Sequence, residues 1–204
     1  MHKVSKQKTL LLVLTLFLGL LAASAQDQLL VLDFEDASEF SRWRPLAAEI
    51  KQNQDPRYIF EGKSSAVFIN EHSSVGEARW PRVEMSIAHT PGGGDWSLYN
   101  ELHFDLFNPH DFDAAFHIKF TYSDGTANTM HNHKILPGHT HKVWPLPDLM
   151  RNKKVARIMF LQSDPSAAFN VYVDNFQLQI NPQIFNERLQ AMENYIKFEV
   201  DTED

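Results

Sequence analysis

Two groups of side chains in this sequence have the types and spacing to do chemistry. The first is acidic. Asp33 and Glu35 lie in Val31-Leu32-Asp33-Phe34-Glu35 near the start, and Asp174 lies in Val171-Tyr172-Val173-Asp174-Asn175-Phe176 near the end. Strand side chains alternate with period two, so Asp33 and Glu35 are expected to share a face. If the first and last strands pair, these carboxylates meet, and carboxylates brought together need a cation or several donors. The same acids could instead sit on solvated edges, where charge discourages edge-to-edge pairing. The second group is a set of alternating polar positions. Trp80, Arg82 and Glu84 alternate with Pro81, Val83 and Met85. His103 and Asp105 alternate with Leu102, Phe104 and Leu106. His117 and Lys119 alternate with Phe116, Ile118 and Phe120. If those polar sides coincide, three strands form one charged groove with an aromatic ring at its edge. Planar hydrogen-bonding groups beside an aromatic face are what a polyhydroxylated ring requires. An ordinary solvated face with cross-strand ion pairs is the alternative.

The histidines add a third possibility. His131-x-His133 and His139-x-His141 each place two imidazoles on one side of a strand. Facing each other across Pro137-Gly138, they could hold zinc or copper, although no carboxylate falls inside that hairpin. Solvent-exposed or ligand-contacting histidines are the simpler reading. Pro91-Gly92-Gly93-Gly94 is not a phosphate loop, because neither a helix start nor Lys-Ser/Thr follows it. Catalysis has weak footing. Glu84 and Asp105 could form the carboxylate pair of a glycosidase, about 5–10 Å apart. His117, Tyr122 and Arg82 could serve a polysaccharide lyase. Nothing in their spacing singles them out.

The elements that must position these groups are strands. About nine short segments with period-two alternation are separated by turns such as Glu61-Gly62-Lys63, Asp124-Gly125 and Pro137-Gly138. They are Leu29–Glu35, Ser65–Asn70, Ala78–Ala88, Glu101–Asn108, Ala114–Ser123, Thr126–Ile135, Thr140–Pro145, Val155–Gln162 and Asn170–Ile180. The expected fold is an all-β antiparallel sandwich. Residues 182–204 are expected to form one amphipathic helix and an acidic tail, with Pro182 in the first turn. That helix could pack on the sandwich or dock a protein partner of a surface complex.

Residues 1–25 carry Lys3, Lys6 and Lys8, then an apolar run from Thr9 to Leu21, then Ala23-Ser24-Ala25, and are expected to be a cleaved signal peptide. The remainder, 26–181 with the helix behind it, is long enough for one domain with a substantial core. The chain has no cysteine and a formal charge of −7, which becomes more negative once the leader's lysines are lost. A net-acidic chain argues against nucleic acid and anionic membrane as partners. An exported protein without disulfides must be held by its core, with a metal as a further staple. A secreted or periplasmic bacterial protein is expected.

The order Leu32-Asp33-Phe34-Glu35, Glu61-Gly62-Lys63-Ser64-Ser65-Ala66, Gly94-Asp95-Trp96-Ser97-Leu98-Tyr99, Leu102-His103-Phe104-Asp105-Leu106-Phe107-Asn108-Pro109 and Val171-Tyr172-Val173-Asp174-Asn175-Phe176 resembles the galactose-binding-like jelly rolls. These include many carbohydrate-binding modules. The chain is most similar to the non-catalytic modules attached to bacterial agarases and related β-galactosidase-type enzymes, over residues 29–180. The resemblance implies a structural calcium where the first and last strands meet. Asp174 and Glu35, then Asp33, would ligate it together with backbone carbonyls of the turn after the first strands. It also implies a non-catalytic module that binds a polysaccharide or oligosaccharide. A small jelly-roll glycosidase or lyase, and a protein-interaction module, are the alternatives.

Overall fold

The structure, a computed structural model, describes residues 27–70, 81–130, 134–147, 150, 152–162, 168–184, 186–187 and 190–191. Residues 1–26, with the expected signal peptide, and Trp80, His131 and His133 lie outside the described residues, as does the chain beyond 191.

Twelve strands form the fold: β1 (Gln28–Leu32), β2 (Arg44–Leu46), β3 (Glu49–Asn53), β4 (Ser65–Asn70), β5 (Arg82–Ser86), β6 (Glu101–Asn108), β7 (Ala114–Tyr122), β8 (Ala127–Met130), β9 (Lys134–Ile135), β10 (Gly138–Pro145), β11 (Val155–Gln162) and β12 (Phe169–Gln179). One sheet runs β10-β6-β12-β4-β3, with β1 also on β12. The other runs β2-β5-β11-β7-β8, with β9 on β7. Every pairing is antiparallel. The alternation in the sequence decides which faces meet. Leu102, Phe104 and Leu106 of β6 are buried on one side, as are Phe116, Ile118 and Phe120 of β7. Across the interface Phe68 meets Phe116 at 5.4 Å, Phe160 meets Phe176 at 6.3 Å, and Trp144 stacks on Phe120 at 5.5 Å. This is a jelly-roll sandwich whose two outer faces point away from each other. From Pro182 the chain turns helical, at residues 182–184, 186–187 and 190–191.

The first strand does pair with the last, from Gln28↔Gln179 to Leu32↔Phe176. Four details depart from expectation. β1 ends at Leu32, and Phe34 adopts φ 58°, so Asp33 and Glu35 lie beyond the strand and not on one strand face. β2 and β3 carry too little apolar alternation to announce themselves, because they are edge strands with exposed side chains. Expected strand 78–88 is described only as β5, 82–86. The expected hairpin of 126–135 with 140–145 does not form: β8 pairs with β7 in one sheet, and β10 with β6 in the other.

Candidate functional site

The acidic residues converge beside the middle of β12, just past the point where β1 ends. Asp33, Glu35, Glu61, Gly62, Asp174 and Asn175 line a cavity of about 170 Å³. The turn after β3 supplies most of its contacts. Asp174 Oδ2 accepts from the Phe60 and Glu61 amides at 2.8 and 3.1 Å, and its Oδ1 from the Asn175 amide at 2.8 Å. Glu35 Oε1 accepts from the Lys63 and Ser64 amides at 2.7 and 3.1 Å. Gly62, at φ 72°, has no alternative: a Cβ there would stand 2.1 Å from Glu35 Oε1. Burial pushes the Asp174 carboxyl up to about 6, partly opposed by its three backbone donors and reinforced by the charge of Asp105. The turn thus presents N–H groups to the two carboxylates where carbonyls had been expected. As the side chains stand, no group of three or more acids or histidines among the described residues is spaced to hold a metal ion. The donor set is nevertheless that of a hard cation: four carboxylates share the cavity, and the Asn175 Oδ1 beside them is buried with no hydrogen-bond partner among the described residues.

The expected seven-residue groove is not assembled. Arg82 and Glu84 on β5 and His117 and Lys119 on β7 share the outer face of one sheet. There Leu161 and Met159 of β11 separate them, in the rows Arg82–Leu161–His117 and Glu84–Met159–Lys119. His103 and Asp105 lie on the outer face of the other sheet, because β6 belongs to it. Trp80 is outside the described residues. Glu84 and Asp105 therefore cannot work as a carboxylate pair. Tyr122, nominated for lyase chemistry, is buried at 1% exposure.

What His103 and Asp105 do join is a face that the sequence did not announce. Register places His139 beside Phe107 and Tyr172, His141 beside Asp105 and Asp174, and Val143 beside His103 and Gln177. Asp105 Oδ1 accepts from His139 Nε2 at 2.8 Å and from His141 Nδ1 at 3.0 Å, and Asn175 Nδ2 donates to its Oδ2 at 3.3 Å. Asn175 reaches it because β12 is irregular between Asp174 and Gln177, with Asn175 at φ 52°, a conformation Asn tolerates better than most residues. The far side of His141 meets His103 Nδ1 at 3.3 Å, and His103 Nε2 meets Glu101 Oε2 at 3.0 Å. The chain Asp105–His141–His103–Glu101 has three contacts, each needing one proton, and two neutral imidazoles bring only two. Closing all three contacts takes a third proton, on a ring or on one of the carboxylates.

Aromatic rings flank this network. Asp55 accepts from the Arg57 amide and Pro56 opens a single 3₁₀ turn, Pro56–Tyr58, which lays the following segment over the sheet. Tyr58 stacks on Tyr172 at 4.0 Å, with Phe107 at 4.9 Å. Phe60 stacks on His139 at 4.1 Å and 16°. These four rings are half-buried, while His139 and His141 stay more than two-fifths exposed beside a buried Asp105. The His-x-His repeat on β10 was the available signal. Tyr58 and Phe60 carry none, because they belong to a turn and not to an alternating strand.

No protein-family model matches the sequence, and no curated protein matches it. Solved structures match its fold. An exo-β-agarase superposes with a TM-score of 0.57 at 16% identity, over 76% of this chain and 26% of the agarase chain. A family 11 carbohydrate-binding module from Clostridium thermocellum, solved with a β-1,3-1,4-mixed-linked tetrasaccharide, gives 0.53 at 14% identity over 77% of this chain and 98% of the module. The CBM27-1 module of Caldicellulosiruptor saccharolyticus, solved with mannohexaose, gives 0.52 at 18% identity over 76% and 98%. The chain thus spans about a quarter of the agarase and nearly all of each free-standing module. Its fold is the jelly roll of carbohydrate-binding modules.

Proposed function

We propose that the chain is an exported, non-catalytic module that binds a polysaccharide on the outer face of the β10-β6-β12-β4-β3 sheet. The observation that carries this reading is the pairing of rings and planar polar groups on that face. Phe60, Tyr58, Tyr172 and Phe107 stand next to Asp105, His139, His141 and Gln177. Ring faces cover the apolar side of a pyranose, and the imidazoles and carboxylate read its hydroxyls. The fold it shares with modules solved in complex with a β-1,3-1,4-mixed-linked tetrasaccharide and with mannohexaose supports an oligosaccharide or polysaccharide as the ligand. Affinity electrophoresis against mixed-linkage β-glucan, mannan and agarose tests it. Binding to at least one, weakened tenfold or more by Phe60→Ala or His141→Ala, is the expected result. No binding to any neutral glycan would remove the reading.

The polar residues Arg82, Glu84, His117 and Lys119 remain the competing face, with Trp80 beside them in sequence. Lys119→Ala and Arg82→Ala are expected to leave neutral-glycan binding intact, and loss of binding in these variants would transfer the site to the other sheet.

We further propose that calcium, when present, is held by Asp174, Glu35 and Asp33 at the chain-end cavity, where it would neutralise carboxylates that the turn only partly satisfies. Its role is to staple β1 and the 60–64 turn to β12. The unfolding midpoint should rise with calcium and fall with chelator, and should be indifferent to both in Asp174→Asn. A midpoint that ignores calcium in the wild type would exclude the ion.

A further inference from the structure

The outer face of the other sheet holds a groove of about 490 Å³ at its β2 edge, lined by Arg42, Arg44, Glu84, Ser86, His89 and Arg157 among others. The register explains how its charges meet. Arg44 lies opposite Glu84, and Arg157 lies opposite Ser86, so the two guanidiniums flank β5 from both sides. Arg42 closes one end from the last turn of a 3₁₀ segment, Ala37–Arg42.

The groove carries more positive charge than it neutralises. Glu84 is the one acid lining it, and its Oε1 is 3.8 Å from Arg157 Nη1, outside hydrogen-bonding range. The Arg44 side chain makes no hydrogen bond or ion pair among the described residues. Arg42 is felt by Asp36 and Glu39, which belong to its own turn and do not line the groove. Three guanidiniums gathered on one patch repel each other, and this on a chain whose formal charge is −7. All three cations are arginine and none is lysine. Arginine presents a rigid fork of donors that matches two oxygens of one anion at once.

We propose that this groove binds an anionic group, a sulfate ester or a carboxylate, carried on a polysaccharide. That the carrier is a polysaccharide rests on the function proposed above; that the group is anionic rests on the groove alone. The groove is a second site, because it faces away from the Asp105–His139–His141 face. A module with two such faces bridges two glycan chains, or two segments of one.

The full chain is titrated calorimetrically with dextran sulfate, polygalacturonate and unmodified dextran of matched length. One or both charged polymers should bind and dextran should not, and the one that binds identifies the group. Arg44→Gln/Arg157→Gln should weaken that binding tenfold or more without moving the unfolding midpoint, since both side chains are exposed. Arg44→Lys/Arg157→Lys, which keeps charge but not the fork, should recover only part of it. Unaltered binding by the double glutamine variant would overturn the proposal. So would absence of binding to both charged polymers, or equal binding of single-stranded DNA, which would mean that the groove reads charge and not a sugar acid. Failure of the neutral-glycan reading would show separately, as no binding to the uncharged panel while the dextran sulfate titration stands.

Discussion

Asp174→Asn isolates the energetic consequence of burying one carboxylate at the junction of the chain ends. Asp174 is 1% exposed, and its carboxyl is raised from 3.8 to about 6, chiefly by burial. The folded chain therefore holds this proton more tightly than the unfolded chain does. Between about pH 4 and pH 6 the folded state binds more protons, so its stability falls as pH rises. The contribution is fully present below the unfolded value and is lost as pH passes the folded one. At about 1.4 kcal/mol for each tenfold change in proton affinity, the full loss amounts to about 3 kcal/mol, most of it between pH 4 and pH 7. Asparagine keeps an oxygen for the Phe60 and Glu61 amides and cannot ionise, but its NH2 replaces the oxygen that accepts from the Asn175 amide. Without calcium, the stability of Asp174→Asn relative to the wild type should therefore carry a constant cost for that contact and rise by about 2–3 kcal/mol between pH 4 and pH 7.5. Urea unfolding in chelator, followed by far-ultraviolet circular dichroism at five or so pH values, measures both curves. The lowered carboxyls of Asp36, Asp55, Asp95 and Asp124 and the raised one of Glu39 are common to both proteins and drop out of the difference. A difference that stays constant across this range would refute the reasoning.

Three further outcomes are expected. Gly62→Ala should cost about 2–4 kcal/mol, because the left-handed φ and the collision with Glu35 Oε1 act together. Adding Glu35→Ala should cost less than the sum, since the collision is then gone, and strict additivity in a double-mutant cycle would contradict this. His103→Phe should leave the His139 and His141 contacts to Asp105 in place while cutting the link to Glu101. Side-chain nitrogen NMR should then show His141 without its far-side partner, and an unchanged His141 signal would mean that the chain of contacts is not continuous. Phe160→Ala, in the middle of the core against Trp43, Phe116 and Phe176, should destabilise by about 3–5 kcal/mol in thermal or urea unfolding.

The sandwich was legible because burial on one face writes itself into period two. β6, β7 and β11 repeat that period over eight or nine residues, and their expected bounds and observed bounds agree closely. β2 and β3 were not legible because they are short and hold too few apolar residues to alternate: Arg44-Pro45-Leu46 reads as loop, and Glu49–Asn53 has Ile50 alone. The candidate groove failed for a different reason. Alternation tells which residues share a strand face, but not which sheet a strand joins. β6 and β7 are consecutive and alternate alike, yet they lie in opposite sheets, so His103 and Asp105 point away from His117 and Lys119.

The same topology explains how one carboxylate comes to serve the polar face while its neighbour serves the chain ends. Asp105 and Asp174 are register partners on adjacent strands. In a regular ladder both would face the same way, and two carboxylates side by side would repel. The irregularity of β12 after Asp174 instead brings Asn175, at φ 52°, in beside the pair. Asp174 turns toward the 60–64 turn, and Asn175 takes the position beside Asp105, to which it donates. Phe60 closes the connection, because its amide binds Asp174 while its ring stacks on His139. A change that loosens the Asp174 contacts therefore also moves the ring nearest the histidines. Glycan affinity in Asp174→Ala should fall although Asp174 touches no ligand, whereas Asp174→Asn, which retains the acceptor for the Phe60 amide, should restore it. Equal loss in both variants would mean that Asp174 acts through its charge and not through Phe60.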